Sequence, residues 1–281
     1  MVGMGEAATH RRPQDDAASF GAHLRAWRDR RRASQLDLAL AAEVSARHIS
    51  FLETGRSRPS RTMVLRLAGE LDVPHEARNV WLHAAGFSPA YRRRDASDEE
   101  MRAAREAVCW MVERHDPYPG FALDRHWTIV QANRTATRLL AGFGIGEGDS
   151  LLEAFLSSVA LQGAVENLPE VAAHTRARLV AEARHYGDDP VLLAAVERLN
   201  AMIDAGEASA LNTTSSAEPT AAFVPVRYRM GEVTLSLMSA FAHFQTAQDI
   251  GLAELRVELM FPADEATRAL LAETFAPHRE D

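Results

Sequence analysis

The chain has 281 residues, 47% of them hydrophobic, enough for one large domain or two ordinary ones, each with its own core. Its one cysteine, Cys109, excludes an intrachain disulfide and a cysteine-based metal site, and its apolar runs fall well short of the roughly 18 residues a membrane helix needs. The net charge of −8 hides an asymmetry: residues 20–94 carry 14 Arg against 7 acids, and residues 95–281 carry 15 Arg against 29 acids, so a basic front suited to a phosphate-bearing partner precedes an acidic rear.

Residues 1–18 are polar, lack the apolar stretch of a secretion signal and are expected to form a disordered arm. From Phe20 to Arg31 the pattern is helical, with Phe20, Leu24 and Trp27 on one side. Ser34 is placed to cap a second helix carrying Leu36, Leu38, Ala39 and Ala42. Ser45 caps a third, with Val44 positioned to close on Ile49 as a hydrophobic staple and Gly55 to end the helix. Ser60 caps a fourth, where Val64, Leu67, Ala68 and Leu71 recur at helical spacing, and Pro74 opens a fifth that runs to Gly86. Five short helices with short joints predict a compact all-α bundle over residues 19–90.

In the third helix Ile49 and Leu52 face inward, which turns Ala46, Arg47, Ser50 and Phe51 outward. Such a helix fits a DNA major groove: Arg bonds guanine with two hydrogen bonds, Ser bonds several base edges, and Phe touches a thymine methyl. Periodicity alone fits an ordinary surface helix as well; the full motif separates the two. The stretch SQLDLALAAEVSARHISFLETGRSRPS resembles the helix-turn-helix of Cro/cI-like, XRE-family regulators, with a lambda-repressor-like fold. The resemblance implies that Gln35 holds a backbone phosphate, that Ala46, Arg47 and Ser50 read bases, and that Arg56, Ser57 and Arg58 grip phosphates. It also implies an Arg28–Glu53 pair. With Ser45 at the turn and Phe51 beside Arg47, the expected DNA-contacting set is Gln35, Ser45, Ala46, Arg47, Ser50, Phe51, Arg56 and Arg58. One departure is Glu43, where the family has Gly in a left-handed turn; a residue with a Cβ costs on the order of 1 kcal/mol there.

Residues 91–100 (YRRRDASDEE) read as a charged linker. Beyond them, 101–114 is helical, PGFALDRHWTIVQAN is a hairpin with Asp124 and Arg125 near its turn, 133–141 is a helix, and GFGIGEGDS is a loop. Residues 151–204 are mostly helical with breaks near Pro169 and at GDDP, and ALNTTSSAEPT is a loop. Strands follow at 221–230, 233–244 and 252–261, with a tight turn at Gly231 and a closing helix at 264–275. In the last strand Leu255, Val257, Leu259 and Phe261 alternate with Glu254, Arg256 and Glu258, predicting one buried and one wet face. Two early strands, intervening helices and three late strands predict an α+β domain over 101–281 built on an antiparallel sheet.

Taken with the stretches HDPYPGFALDRHWTIVQAN and LAELRVELMFPADEAT, the chain resembles the MmyB-like branch of these regulators, whose C-terminal domain is PAS-like and regarded as ligand-binding. A PAS-like domain implies an apolar pocket between sheet and helices. The candidate lining is Phe121, Leu123, Trp127, Ile129, Val226, Leu237, Met238 and Phe241, residues that would equally serve as plain core. The sparse polar constellation points to an apolar or amphipathic effector, fatty-acid-like or lactone-like.

Other chemistry finds little support. The histidines 115, 126, 174, 185 and 243 lack close metal-ligand spacing, Ser157–Ser158 lack a nucleophile-elbow setting, GFGIGEGDS has no Lys to complete a phosphate loop, and no Cys-His haem signature appears. The expectation is therefore a bacterial, cytoplasmic transcription regulator that is not an enzyme. It needs no metal or cofactor, binds a double-stranded operator as a homodimer, and responds to a small molecule. The alternative is a rear domain that is a ligand-free dimerisation or protein-interaction module, or an enzyme tethered to DNA.

Overall fold

The structure, a computed structural model, describes residues 19–95, 97–210, 223–244 and 247–275. The expected arm over 1–18 and nearly all of the expected loop at 210–220 lie outside the described residues. The described residues divide into two compact units: one takes in residues 19–73 together with Ala77–Ala90, the other Pro74–Glu76 and the described residues from Tyr91 onward.

The first unit holds the helices α1 (Phe20–Arg30), α2 (Gln35–Ala41), α3 (Ala46–Glu53) and α4 (Arg61–Glu70) and, from Ala77 on, α5 (His75–Ala84). Their starts are set by hydroxyl caps. Ser19, Ser34, Ser45 and Ser60 each accept from a backbone N–H in the first turn of the helix they precede, and Ser34 and Asp37 complete a reciprocal capping box. Gly55 (φ 72°) and Gly86 (φ 85°) supply the left-handed backbone that ends α3 and α5. The expected stripes meet in one core: Phe20, Leu24, Trp27, Ile49, Leu52, Leu67 and Trp81 are all buried.

The second unit is an antiparallel five-stranded sheet with helices. After α6 (Arg102–Glu113) come β1 (Gly120–Leu123) and β2 (Ile129–Ala132), then α7 (Arg134–Ala141), α8 (Leu151–Ser157), α9 (Val159–Ala164), α10 (Leu168–His185) and α11 (Pro190–Ala210). The chain closes with β3 (Val226–Met230), β4 (Val233–His243), α12 (Ile250–Glu254), β5 (Arg256–Pro262) and α13 (Glu265–Phe275). The strand order is β2-β1-β5-β4-β3, so two hairpins flank a central β5. Gly231 (φ 64°) makes the two-residue turn between Met230 and Val233. Among the described residues no helix is long and apolar enough to cross a membrane.

Three local expectations need correction. The last strand begins at Arg256 rather than 252, because Ile250–Glu254 is a short helix capped by Asp249. That strand has no wet face: Arg256 and Glu258 are buried as deeply as their apolar neighbours. The reason is its central place in the sheet. Val257 packs with Val108 and Val112 of α6 on one side, while Arg256 and Glu258 meet Arg178 and Glu182 of α10 on the other. Nor is the charged run at 92–94 free. Arg93 pairs with the buried Glu254 at 2.8 Å, and the Arg94 amide donates to the buried Asp249 at 2.8 Å.

Candidate functional site

In the first unit α3 presents the outward residues as its inward stripe dictates. Ile49 and Leu52 are buried, Ser45, Arg47, Arg56 and Arg58 are exposed, and Ala46, Ser50 and Phe51 are half-buried. The Ser45 hydroxyl oxygen accepts from the His48 amide at 3.1 Å, so this residue caps the helix. Ala46 also packs against the core, which leaves little of it for an outside contact. Phe51 lies under two cations: the guanidinium carbons of Arg47 and Arg56 sit 5.1 and 6.0 Å from its ring centroid, within cation–π range. The ring thus contacts both the Arg of the helix's first turn and the Arg that follows its end.

The helix is fixed from behind by Glu53. Its side chain has no solvent exposure and accepts from Arg28 Nε at 2.7 Å, Gln35 Nε2 at 2.7 Å and Arg25 Nε at 3.3 Å. The Arg28–Glu53 pair implied by the sequence resemblance is therefore present, and Gln35 is tied to it. Burial alone raises the Glu53 carboxyl; the hydrogen bonds from Arg28 and Gln35, with the charge of Arg28, outweigh that and hold its pKa below the usual carboxylate value. This network joins α1, α2 and α3, the elements that set how the outward face is presented. Glu43, at the turn between α2 and α3, has φ 54°, the left-handed conformation expected there.

In the second unit a cavity of about 330 Å³ opens between one face of the sheet and helices α7–α10. That volume lies within the range of small-molecule sites, roughly 300–1,000 Å³. Of the eight lining candidates, Phe121, Trp127, Val226, Leu237, Met238 and Phe241 border it. Leu123 and Ile129 do not; they are fully buried in the core beside it. Helices expected in the sequence but not among the lining candidates supply the opposite wall, including Leu139, Phe155 and Leu161. Nothing in the sequence of these helices says which side faces a void.

The polar residues at this cavity were also missed. Arg178 lies between two aromatic rings, 4.2 Å from the Trp127 centroid and 3.9 Å from that of Phe241. Glu182 accepts from Arg178 Nε at 2.8 Å, Trp127 Nε1 at 2.9 Å and Arg256 Nη1 at 2.9 Å. Burial raises its carboxyl, and the charges of Arg256 and Arg178 more than reverse that, so Glu182 stays ionised. Trp127 reaches this position from a backbone with φ 63°, a rare state for a bulky residue and one that clusters at functional sites. Among the described residues no group of three His, Cys, Asp or Glu is placed to hold a metal ion.

Comparison with known proteins separates the same two parts. The family model for the MmyB-like transcription regulator ligand binding domain matches residues 104–273, and a helix-turn-helix domain model matches residues 19–81. The chain is 33% identical over 101 residues to the HTH-type transcriptional repressor RghR of Bacillus subtilis (strain 168), a stretch that covers 36% of this chain and 67% of that relative.

Proposed function

This chain belongs to the MmyB-like transcription regulators, DNA-binding proteins with a helix-turn-helix and a ligand-binding domain, and from that premise we propose how the two parts work. The protein acts in the cytoplasm as a homodimer on an operator with two half-sites, because one recognition helix spans only a few base pairs. Arg47 and Ser50 read base edges, with Phe51 against a thymine methyl; Arg56 and Arg58 hold phosphates. Gln35, positioned by its hydrogen bond to Glu53, holds a backbone phosphate. The effector is an apolar or amphipathic molecule, fatty-acid-like or lactone-like, seated in the cavity. It changes operator affinity by binding one conformation of the dimer better than another.

The observation that carries the effector reading is the cavity itself, walled by Phe121, Phe155, Leu161, Leu237 and Met238 within the segment matched by the ligand-binding family model. Native mass spectrometry of the full chain tests it. The expected spectrum contains a retained apolar molecule, or binding of added medium-chain compounds one per chain. A protein that retains nothing and binds none of them contradicts the reading.

A further inference from the structure

Phe51 sits half-buried on the outward side of α3, between two cations. The guanidinium carbons of Arg47 and Arg56 lie 5.1 and 6.0 Å from its ring centroid. Among the described residues neither guanidinium makes an ion pair or a hydrogen bond. Arg28, Arg93 and Arg125, by contrast, each reach a carboxylate. The one carboxylate that α3 itself carries, Glu53, is taken by Arg25, Arg28 and Gln35. Arg47 therefore keeps its whole fork of N–H donors for an acceptor outside the chain, and the ring beside it restricts where that fork stands.

The spacing of the pair limits what it can read. Arg bonds guanine with two hydrogen bonds, through O6 and N7. A G·C pair shows no methyl in the major groove, so a methyl touched by Phe51 belongs to another base pair. Base pairs are stacked about 3.4 Å apart. The 5.1 Å between guanidinium and ring is shorter than two such steps, which makes the other pair the immediate neighbour. On that neighbour the group an apolar ring favours is a methyl at pyrimidine C5, because covering it removes apolar surface from water. We propose that Arg47 and Phe51 read one dinucleotide step together: a guanine and, directly beside it, a pyrimidine with a methyl at C5. Thymine and 5-methylcytosine satisfy that reading; uracil and unmodified cytosine do not. The inference rests on α3 lying in the major groove, as proposed above, and names the step it reads there. It also makes operator binding sensitive to cytosine methylation wherever a cytosine stands in the place of that thymine.

The test starts from the duplex that the full-length chain enriches from a randomised pool. Each thymine beside a guanine is replaced in turn by uracil, which removes the methyl and keeps the pairing, and binding is read by fluorescence anisotropy. One such replacement per half-site is expected to weaken binding about three- to fivefold, the worth of one covered methyl. With cytosine at that place, paired to guanine, the duplex should bind more weakly than its 5-methylcytosine form by the same factor. Phe51→Ala should bind the thymine and uracil duplexes alike. The wild-type comparisons decide even if Phe51→Ala fails to fold. An enriched site with no thymine beside a guanine, methyl-free bases bound as tightly as the methylated ones, or a Phe51→Ala variant as sensitive to uracil as the wild type overturns the step assignment and leaves base reading by α3 in place. A pool in which no sequence is enriched overturns both.

Discussion

Arg47 and Arg58 are both exposed arginines of the basic unit, yet they stand in different settings. Arg47 projects from the first turn of α3 and stacks over Phe51, whereas Arg58 lies in the loop that follows the helix. The first position suits base edges and the second suits phosphates. Arg47→Ala is expected to weaken binding to the preferred duplex by about 1–3 kcal/mol and to relax sequence choice. Arg58→Ala should weaken binding to every duplex alike and reduce the salt-dependence slope by about one unit. Fluorescence anisotropy on a selected and a scrambled duplex across a salt series separates them; identical behaviour of the two variants would overturn the division of roles. At this scale the outward residues of α3 were legible, because a 3.6-residue period fixes which side chains follow from Ile49 and Leu52. The positive φ at Glu43 was legible through the motif. The positive φ at Trp127 was not, since nothing about a tryptophan in a hairpin signals it.

Among elements, the joint between α1 and α3 governs the first unit. A Cβ on Gly21 would lie 2.5 Å from the Glu53 carbonyl oxygen and 2.6 Å from that of Leu52, so the two helices approach backbone to backbone. Glu53 closes the same joint through its side chain. Because its folded pKa lies below the ordinary glutamate value of about 4.3, its contribution is complete above that value and is lost as pH falls through the folded one. Amide hydrogen exchange of α1 and α3, corrected for intrinsic rates, should show the wild type more protected than Glu53→Gln at pH 7, with the gap narrowing only below about pH 4.3. A gap that is constant with pH would mean the carboxylate charge plays no part. The caps, stripes and stops of these helices could be read from the sequence because they are local. The close approach at Gly21 and the burial of Arg256 and Glu258 could not. Each depends on a neighbour distant in the chain, and a charged residue alternating on a strand looks solvent-facing until its partners on α10 are known.

For the whole molecule, the basic front and acidic rear marked the two units, and the early and late strands marked the antiparallel sheet. The strand order and the void against it depend on how the helices pack, which no periodicity encodes. The linker reading missed that Arg93 and Arg94 dock on buried acids of the second unit. The central claim is that the first unit tells bases apart. Repeated selection of the purified full-length chain on randomised duplexes at low ionic strength tests it most directly. The account predicts enrichment of a two-fold symmetric site, its halves roughly one helical turn (about 34 Å) apart, with enrichment lost in Arg47→Ala. A pool that emerges with no sequence enriched would contradict it.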